Sequence, residues 1–242
     1  MQLWFEKLQA DFVKNFMVDN RWQLLLSGLQ RTVVITLLSG LLGLVVGVII
    51  AMVRSTYDKT ADSARPTVGR KLFGFADWFC RVYLTVIRGT PVVVQLMIIY
   101  FVILASVRNG TLVASLAVGL NSGAYVAEIV RGGIMSIDNG QFEAGRSLGF
   151  NYLQTMRFIV IPQTIKNVLP SLANEFIALL KETSVAGYVA VQDLTKAGDV
   201  IRSRTYSPFM PLIAVALIYL AMVMFFTKLV GILERRLRSS DH

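Results

Sequence analysis

Cysteine and histidine, two residue types that often carry covalent or metal chemistry, are almost missing from this chain. Of its 242 residues one is cysteine and one is histidine. Cys80 alone allows no intrachain disulfide and cannot by itself build a metal site. The sole histidine, His242, leaves little room for histidine-dependent catalysis. There is no Gly-x-Ser-x-Gly turn and no nucleophile paired with a base, so an embedded enzyme lacks its parts. The most informative stretch is polar instead. It reads Glu143-Ala144-Gly145, three residues, Gly149, nine residues, then Ile159-Val160-Ile161-Pro162. A helix ending at a glycine, a turn, and a second helix closed by a proline are expected there. The stretch lies between runs that must enter lipid and is itself too polar to do so. A folded loop of that kind exists to touch something outside the bilayer, and another protein is the natural candidate.

The elements that must hold this loop are set by composition. The chain is 55% hydrophobic and 16% charged, with mean hydropathy +0.59. That is far more apolar material than a soluble domain needs. Several runs of about 17–25 apolar residues each suffice to cross roughly 30 Å of hydrocarbon. The expected class is an all-α polytopic membrane protein with about five transmembrane helices. The net charge of +9 fits basic residues gathered on the cytoplasmic side. No basic stripe is interleaved with aromatics, so nucleic acid is not an expected partner. No cleavable leader is expected either.

Three divisions are expected: an N-terminal amphipathic segment (1–23), a transmembrane domain (24–232) and a C-terminal tail (233–242). In the first, Trp4, Leu8, Phe12 and Phe16 recur every fourth residue, with Lys7, Asp11 and Lys14 between them. Such a helix either lies in the membrane interface or packs as an arm on neighbouring helices. The first span is expected over 29–53. Its Ser39, Gly43, Gly47 and Ala51 form a small-residue stripe that permits close helix approach. Residues 54–77 are charged and turn-rich, with Asp58, Arg65 and Pro66 among them, and read as a loop. Thr90 and Pro91 make a helix start, and the apolar run from Pro91 is short for a full span. Residues 78–87 then extend it as a kinked or separate piece. Further spans are expected over 111–130, 168–180 and 209–230, the second of these interrupted by Pro170. Residues 181–207 read as a re-entrant or interfacial segment. No internal repeat is visible, which removes the usual signature of an inverted-repeat carrier.

Five spans place the termini on opposite sides. With the N-terminus outside, the inner segments (54–90, 131–167, 228–242) hold 15 of the 24 Lys and Arg, and the outer ones hold 9. The bias favours N-out and C-in, which puts the Glu143 loop in the cytoplasm.

The loop resembles the EAA loop of binding-protein-dependent ABC importer permeases. That family's pattern is Glu-Ala-Ala, three residues, Gly, nine residues, Ile-x-Leu-Pro. Gly145 departs from the second alanine and Ile161 from the leucine, while the spacing is intact. Other stretches are similar to the polar amino acid subgroup, the histidine/glutamine-type permeases. They are Arg88-Gly89-Thr90-Pro91 with Gln95; Leu120-Asn121-Ser122-Gly123-Ala124-Tyr125 with Glu128; Arg131-Gly132-Gly133-Ile134; and Leu180-Lys181-Glu182-Thr183-Ser184. Many members have aspartate where Glu182 stands. Together these stretches cover nearly the whole chain beyond the N-terminal arm.

The resemblance implies the transmembrane fold of a type I ABC importer in the cytoplasmic (inner) membrane of a bacterium. It implies ATP-binding ABC subunits as partners, a second permease subunit (the same chain or a related one) and an extracytoplasmic amino acid-binding protein. The chain has no Gly-x4-Gly-Lys-Ser/Thr loop, so ATP is expected on the partner ATPase and no cofactor on this chain. Coupling to the ATPase is expected at Glu143, Ala144, Gly145, Gly149, Ile159 and Pro162. Glu143 would pair with a cation there, and Phe150, Tyr152 and Phe158 would be apolar anchors. Pro170 and the Arg88–Pro91 break are candidate hinges. Asn121, Tyr125 and Glu128 share one helical face. With Glu175 and Arg88 they are candidates to line a route for a polar amino acid, the alternative being that they join helices. A channel or carrier working without ATP is the competing function, and it leaves the folded loop unexplained.

Overall fold

The computed structural model of the chain describes residues 2–60 and 68–238. Among these every regular element is helical. The elements are α1 (Gln2–Phe12), α2 (Trp22–Thr60), α3 (Val68–Gly89), α4 (Val92–Ile98), α5 (Gly110–Met135), α6 (Asn139–Ser147), α7 (Tyr152–Thr155), α8 (Ile161–Glu182), α9 (Leu194–Thr205) and α10 (Phe209–Arg238). Wider π turns follow α1, α4 and α7, at Val13–Met17, Ile99–Ile103 and Met156–Val160.

Among the described residues three helices are long and apolar enough to cross a membrane: Trp22–Lys59, Gly110–Met135 and Phe209–Ile232. A fourth crossing results if the pair Gly69–Gly89 and Val92–Ile103, bent by 111°, counts as one broken span. The bend falls at the expected Thr90–Pro91 break, where the Thr90 hydroxyl donates to the Val86 carbonyl. The remaining expected span lies in α8. At 22 residues it is about 33 Å long. Its composition is amphipathic rather than apolar, because Gln163, Lys166, Asn167, Asn174 and Glu175 sit along it. Pro170 stands inside α8 without ending it.

The expected loop over 54–77 is mostly helix. Its residues Asp62, Arg65 and Pro66 lie outside the described residues, but Arg54, Asp58 and Lys59 stand on α2, and Arg70, Lys71 and Asp77 on α3. Charged residues end a span and need not end a helix, and α2 meets no proline before position 60. Its 39 residues measure about 58 Å, nearly twice the hydrocarbon thickness.

The contacts divide the chain into two compact units. The first comprises Met1–Ser39, Val92–Val118 and Ile177–Leu229. One of its cores gathers Ile35, Leu96, Ala114, Ala117, Ala186 and Val189. Another gathers Phe16, Leu25, Leu194, Ala197, Ile201 and Val215. Polar joints accompany them. Ser39 Oγ donates to the Ser115 carbonyl at 3.0 Å, and Leu194 N–H donates to Thr32 Oγ1 at 3.0 Å. Asp193 is fully buried and caps α9 by accepting the Thr195 and Lys196 N–H groups. The segment expected to be re-entrant is a 3₁₀ turn (Thr183–Val189) followed by α9.

The second unit comprises Gly40–Pro91, Gly119–Phe176 and Val230–His242. Here the small-residue stripe meets α5. A Cβ on Gly47 would lie 2.5 Å from Val126 Cγ1, and one on Gly43 would lie 3.1 Å from Ser122 Oγ. Ala51, Val126, Val130, Ile134, Met156 and Val160 form the adjoining core. On the opposite face of α2, Leu41, Leu44, Val45, Val48 and Ile49 are exposed. Such a continuous apolar face belongs in lipid or against another membrane helix.

Candidate functional site

The polar stretch folds as an elbow. Asp138 caps α6 by accepting Gly140 N–H. The helix ends as Leu148 N–H donates to the Ala144 carbonyl, Gly149 N–H to Arg146 and Phe150 N–H to Gly145. Gly149 has φ +80°, and nothing lies within 4 Å of where its Cβ would be. Its requirement is therefore the left-handed backbone and not space. A reciprocal capping box then starts α7: Asn151 N–H donates to Gln154 Oε1, and Gln154 N–H donates to Asn151 Oδ1, both at 2.9 Å.

Pro162 does not close the second helix. It stands in the first turn of α8, directly after the π turn at Met156–Val160. Ile161 N–H reaches five residues back to the Met156 carbonyl. That wider turn lets the chain accept a residue without an N–H and continue as helix. Ile159, expected with Pro162, lies in the same π turn and is half-buried.

Glu143 and Ala144 are exposed, whereas Gly145 is buried. A Cβ on Gly145 would lie 2.6 Å from Thr155 Oγ1. The glycine that replaces the family's alanine is thus demanded by the close seat of α6 on α7. Of the expected anchors, Phe158 is exposed and in ring contact with Phe150 at 6.0 Å. Tyr152 turns inward and stacks on Phe142 at 6.4 Å. Burial pushes the Tyr152 phenol above its ordinary pKa, against a smaller opposing effect from the nearby Thr56. Leu148 and Leu153, which carried no signal in the sequence, are the most exposed apolar side chains of the elbow. Beside α6 lies a cavity of about 430 Å³ lined by Lys59, Asn139, Phe142, Glu143, Arg146, Tyr152 and Thr155.

A second cluster gathers three of the five expected pathway residues. Glu128 Oε2 lies 3.7 Å from Arg88 Nη1, and the Arg88 guanidinium stands 5.9 Å from the Tyr125 ring centre. Glu175 accepts from Ser122 Oγ at 3.1 Å. Asn121 is buried, with polar contacts of its own. The sequence reading missed the residues that surround Glu128. Arg54 Nη1 lies 3.6 Å from Glu128 Oε1, and Arg54 Nε lies 3.6 Å from the buried Asp77. Arg81 pairs with Asp77 at 2.7 Å and with Asp58 at 3.7 Å, and Asp58 pairs with Arg131 at 3.3 Å. Four arginines and three carboxylates thus tie α2, α3 and α5 together. The available signal was opposite charge at helical spacing: Arg54 with Asp58, Asp77 with Arg81, Glu128 with Arg131.

Among the described residues no group of His, Cys, Asp and Glu could hold a metal ion. What the two clusters can do is form ion pairs and hydrogen bonds that are remade when helices move.

These features define the transmembrane part of a transporter, and comparison with known proteins agrees. Residues 66–239 match the family described as "Binding-protein-dependent transport system inner membrane component", and the chain belongs to that family. It is 35% identical over 221 residues to the arginine transport system permease protein ArtQ of Bacillus subtilis (strain 168), covering 90% of this chain and 94% of the relative. It is 35% identical over 216 residues to a putative glutamine transport system permease protein GlnP of Rickettsia bellii (strain RML369-C), covering 88% and 92%. A crystal structure of an amino acid ABC transporter with histidines superposes with TM-score 0.77 at 38% identity, covering 91% of this chain and 96% of that one. The fold is that of type I ABC importer permeases, and the protein is a multi-pass inner-membrane permease subunit. In this family ATP is hydrolysed by a separate subunit, and a solute-binding protein is a further partner.

Proposed function

We propose that the chain imports a polar or charged amino acid and that its ATPase partner grips the α6–α7 elbow. The observation that carries this is the exposed Glu143 on a doubly capped helix, beside a cavity of about 430 Å³ with charged walls. A rigid lever needs well-defined ends, and the Asp138 cap, the Gly149 turn and the Asn151–Gln154 box supply them. Glu143 pairs with a cation on the ATPase, and Leu148, Leu153 and Phe158 seat in its cleft. In this reading the elbow and the C-terminus face the cytoplasm and the N-terminus lies outside. A second permease subunit completes the pore, and an extracytoplasmic binding protein delivers the amino acid.

The test is co-purification of the ATPase with the permease. Glu143→Lys is expected to lose it, while retention at wild-type stoichiometry would sink the proposal. That relatives are named for arginine and, putatively, glutamine transport supports a polar or charged amino acid as the cargo class.

For the pathway we place Asn121, Tyr125, Glu128, Glu175 and Arg88 along the route. Uptake by Glu128→Gln and Glu175→Gln tests this, and unchanged rate and selectivity in both would dismiss it. The two arginines held by Glu128 favour a second reading of that residue, as a joint among α2, α3 and α5. A joint predicts lowered thermal stability with selectivity intact.

A further inference from the structure

We propose that α1 is a membrane-interface anchor whose apolar face lies among lipid acyl chains just below the headgroups. On the helical wheel Trp4, Leu8, Phe12 and Phe5 fall within an arc of about 100°. Trp4 is 64% exposed, Phe5 68% and Phe12 45%, with Leu8 half-buried between them, so the chain itself leaves most of this arc uncovered. The arc is continuous with a membrane-facing surface: Phe5, Leu8 and Phe12 line one concavity with Met210 at the start of α10. From there α10 presents Phe209, Leu212, Ile213 and Leu217 outward. An occupant that already covers α10, a membrane-crossing helix of an inner-membrane protein, covers α1 by simple extension.

The arm is aimed and not free. At its root Asn15 is fully buried, donates to Ser207 Oγ at 3.2 Å and accepts from Thr205 Oγ1 at 2.7 Å. Phe16 joins the core beneath. Asp19 and Asn20 then take left-handed backbone, φ 54° and 51°, and turn the chain into α2. Asp and Asn are among the residues that tolerate this conformation best. The two alternatives left open by the periodicity thus divide along the segment. Its end packs on protein, and α1 faces lipid.

The charge balance fixes which lipid is needed. Lys7, Lys14 and Arg21 are matched by Glu6, Asp11 and Asp19. With its side-chain charges balanced, the arm draws its affinity chiefly from apolar area and little from anionic headgroups.

The experiment uses the full chain with its partner subunits, reconstituted in phosphatidylcholine vesicles. Trp22→Phe and Trp78→Phe leave Trp4 as the single tryptophan of this chain, and the partners' tryptophans are likewise replaced by phenylalanine. Trp4 fluorescence is expected to be quenched by lipid brominated high on the acyl chain, more than by lipid brominated near the chain end. Aqueous iodide is expected to have little effect, and anionic lipid is expected to leave the pattern unchanged. Quenching by iodide and not by brominated lipid would place the arm in water and overturn the proposal. Protection from both would place it under protein and overturn it equally. An independent measurement avoids the tryptophan replacements. A nitroxide on Trp4→Cys, in a Cys80→Ser background, should be relaxed by oxygen more than by a water-soluble nickel chelate, and the reverse order counts against lipid.

Discussion

The Lys59 ammonium at the end of α2 donates to Asn139 Oδ1 on α6 at 2.6 Å. The same ammonium stands 4.8 Å from the centre of the Phe142 ring, one turn further along α6. The longest helix of the chain is thereby tied directly to the elbow. If the elbow is the lever proposed above, a push on it would reach α2 through this contact, and Asp58, the preceding residue, would pass it to Arg131 of α5.

Lys59→Met should loosen this tie without unfolding the unit. The lost cation–ring contact and charged hydrogen bond together amount to about 1–2 kcal/mol at a partly exposed site. ATP hydrolysis by the assembled transporter should persist while the amino acid moved per ATP falls. Lys59→Arg should restore part of the ratio. Paired uptake and phosphate-release measurements in proteoliposomes check this, and an unchanged ratio in Lys59→Met would show that the contact transmits nothing.

Gly47→Ala should lower the melting temperature of the purified protein. The added methyl meets Val126 at 2.5 Å, and neither helix backbone can yield easily. Overpacking of this kind costs about 1–3 kcal/mol. Gly231→Ala is the control, since nothing lies within 4 Å of its Cβ position. There the gain in helix propensity should leave stability equal or slightly higher. Thermal unfolding in one detergent compares the two.

Removing one buried member of the arginine–carboxylate network should do more harm than replacing a pair. Asp77 is 3% exposed and holds both Arg81 and Arg54. Asp77→Ala removes one of the two carboxylates at the largely buried Arg54 and leaves it Glu128 alone, so the cost should approach without reaching the roughly 3–5 kcal/mol of a wholly unpaired buried charge. Arg54→Met combined with Asp77→Leu should recover much of that loss. If the double variant unfolds as readily as the single one, the uncompensated charge is not the cause.

Two aspartates near α9 should respond to pH in opposite directions. Hydrogen bonds from Arg202 and then Lys196 hold the Asp199 carboxyl below its ordinary pKa. Its contribution to stability is present above the unfolded pKa, about 3.9, and is lost as pH falls through the lower folded value. Burial pushes Asp193 up, against opposing hydrogen bonds from the Lys196 and Thr195 N–H groups. A carboxyl whose pKa is raised by folding stabilises the fold progressively as pH falls through that raised value. Asp193→Asn keeps a good N-cap without the charge. It should raise stability near neutral pH and flatten the rise on mild acidification, whereas Asp199→Asn should weaken the fold at neutral pH. Unfolding midpoints measured from pH 7 down to about 2, below the unfolded carboxylate value, check both.

Much of the architecture was legible in the chain because lipid leaves few options. Long apolar runs become helices when no water is available to satisfy the backbone. The small stripe from Ser39 to Ala51 is the packed face of α2, since only small side chains let two backbones approach. The turn at Gly149 was readable for an equally local reason, the steric freedom of glycine. Reach was harder to read. Arg54, Asp58 and Lys59 look like the start of a loop, yet they extend α2, because what ends a span is the water boundary and what ends a helix is the backbone. Pro162 looks like a stop and is absorbed by a π turn, a widening that the residue types around it do not announce.

The amino-acid sequence by itself determined the membrane class, the elbow and the residues able to bear charge at each end of the helices. Only the tertiary structure decided who meets whom: Lys59 with Asn139, Glu128 with two arginines, Gly145 with Thr155. Helical periodicity is local and repeats every few residues, so one strand of text reveals it. Pairings across 53 to 80 positions of chain, such as Ser122 with Glu175 or Lys59 with Asn139, depend on how whole helices pack, and packing is a property of the assembled core.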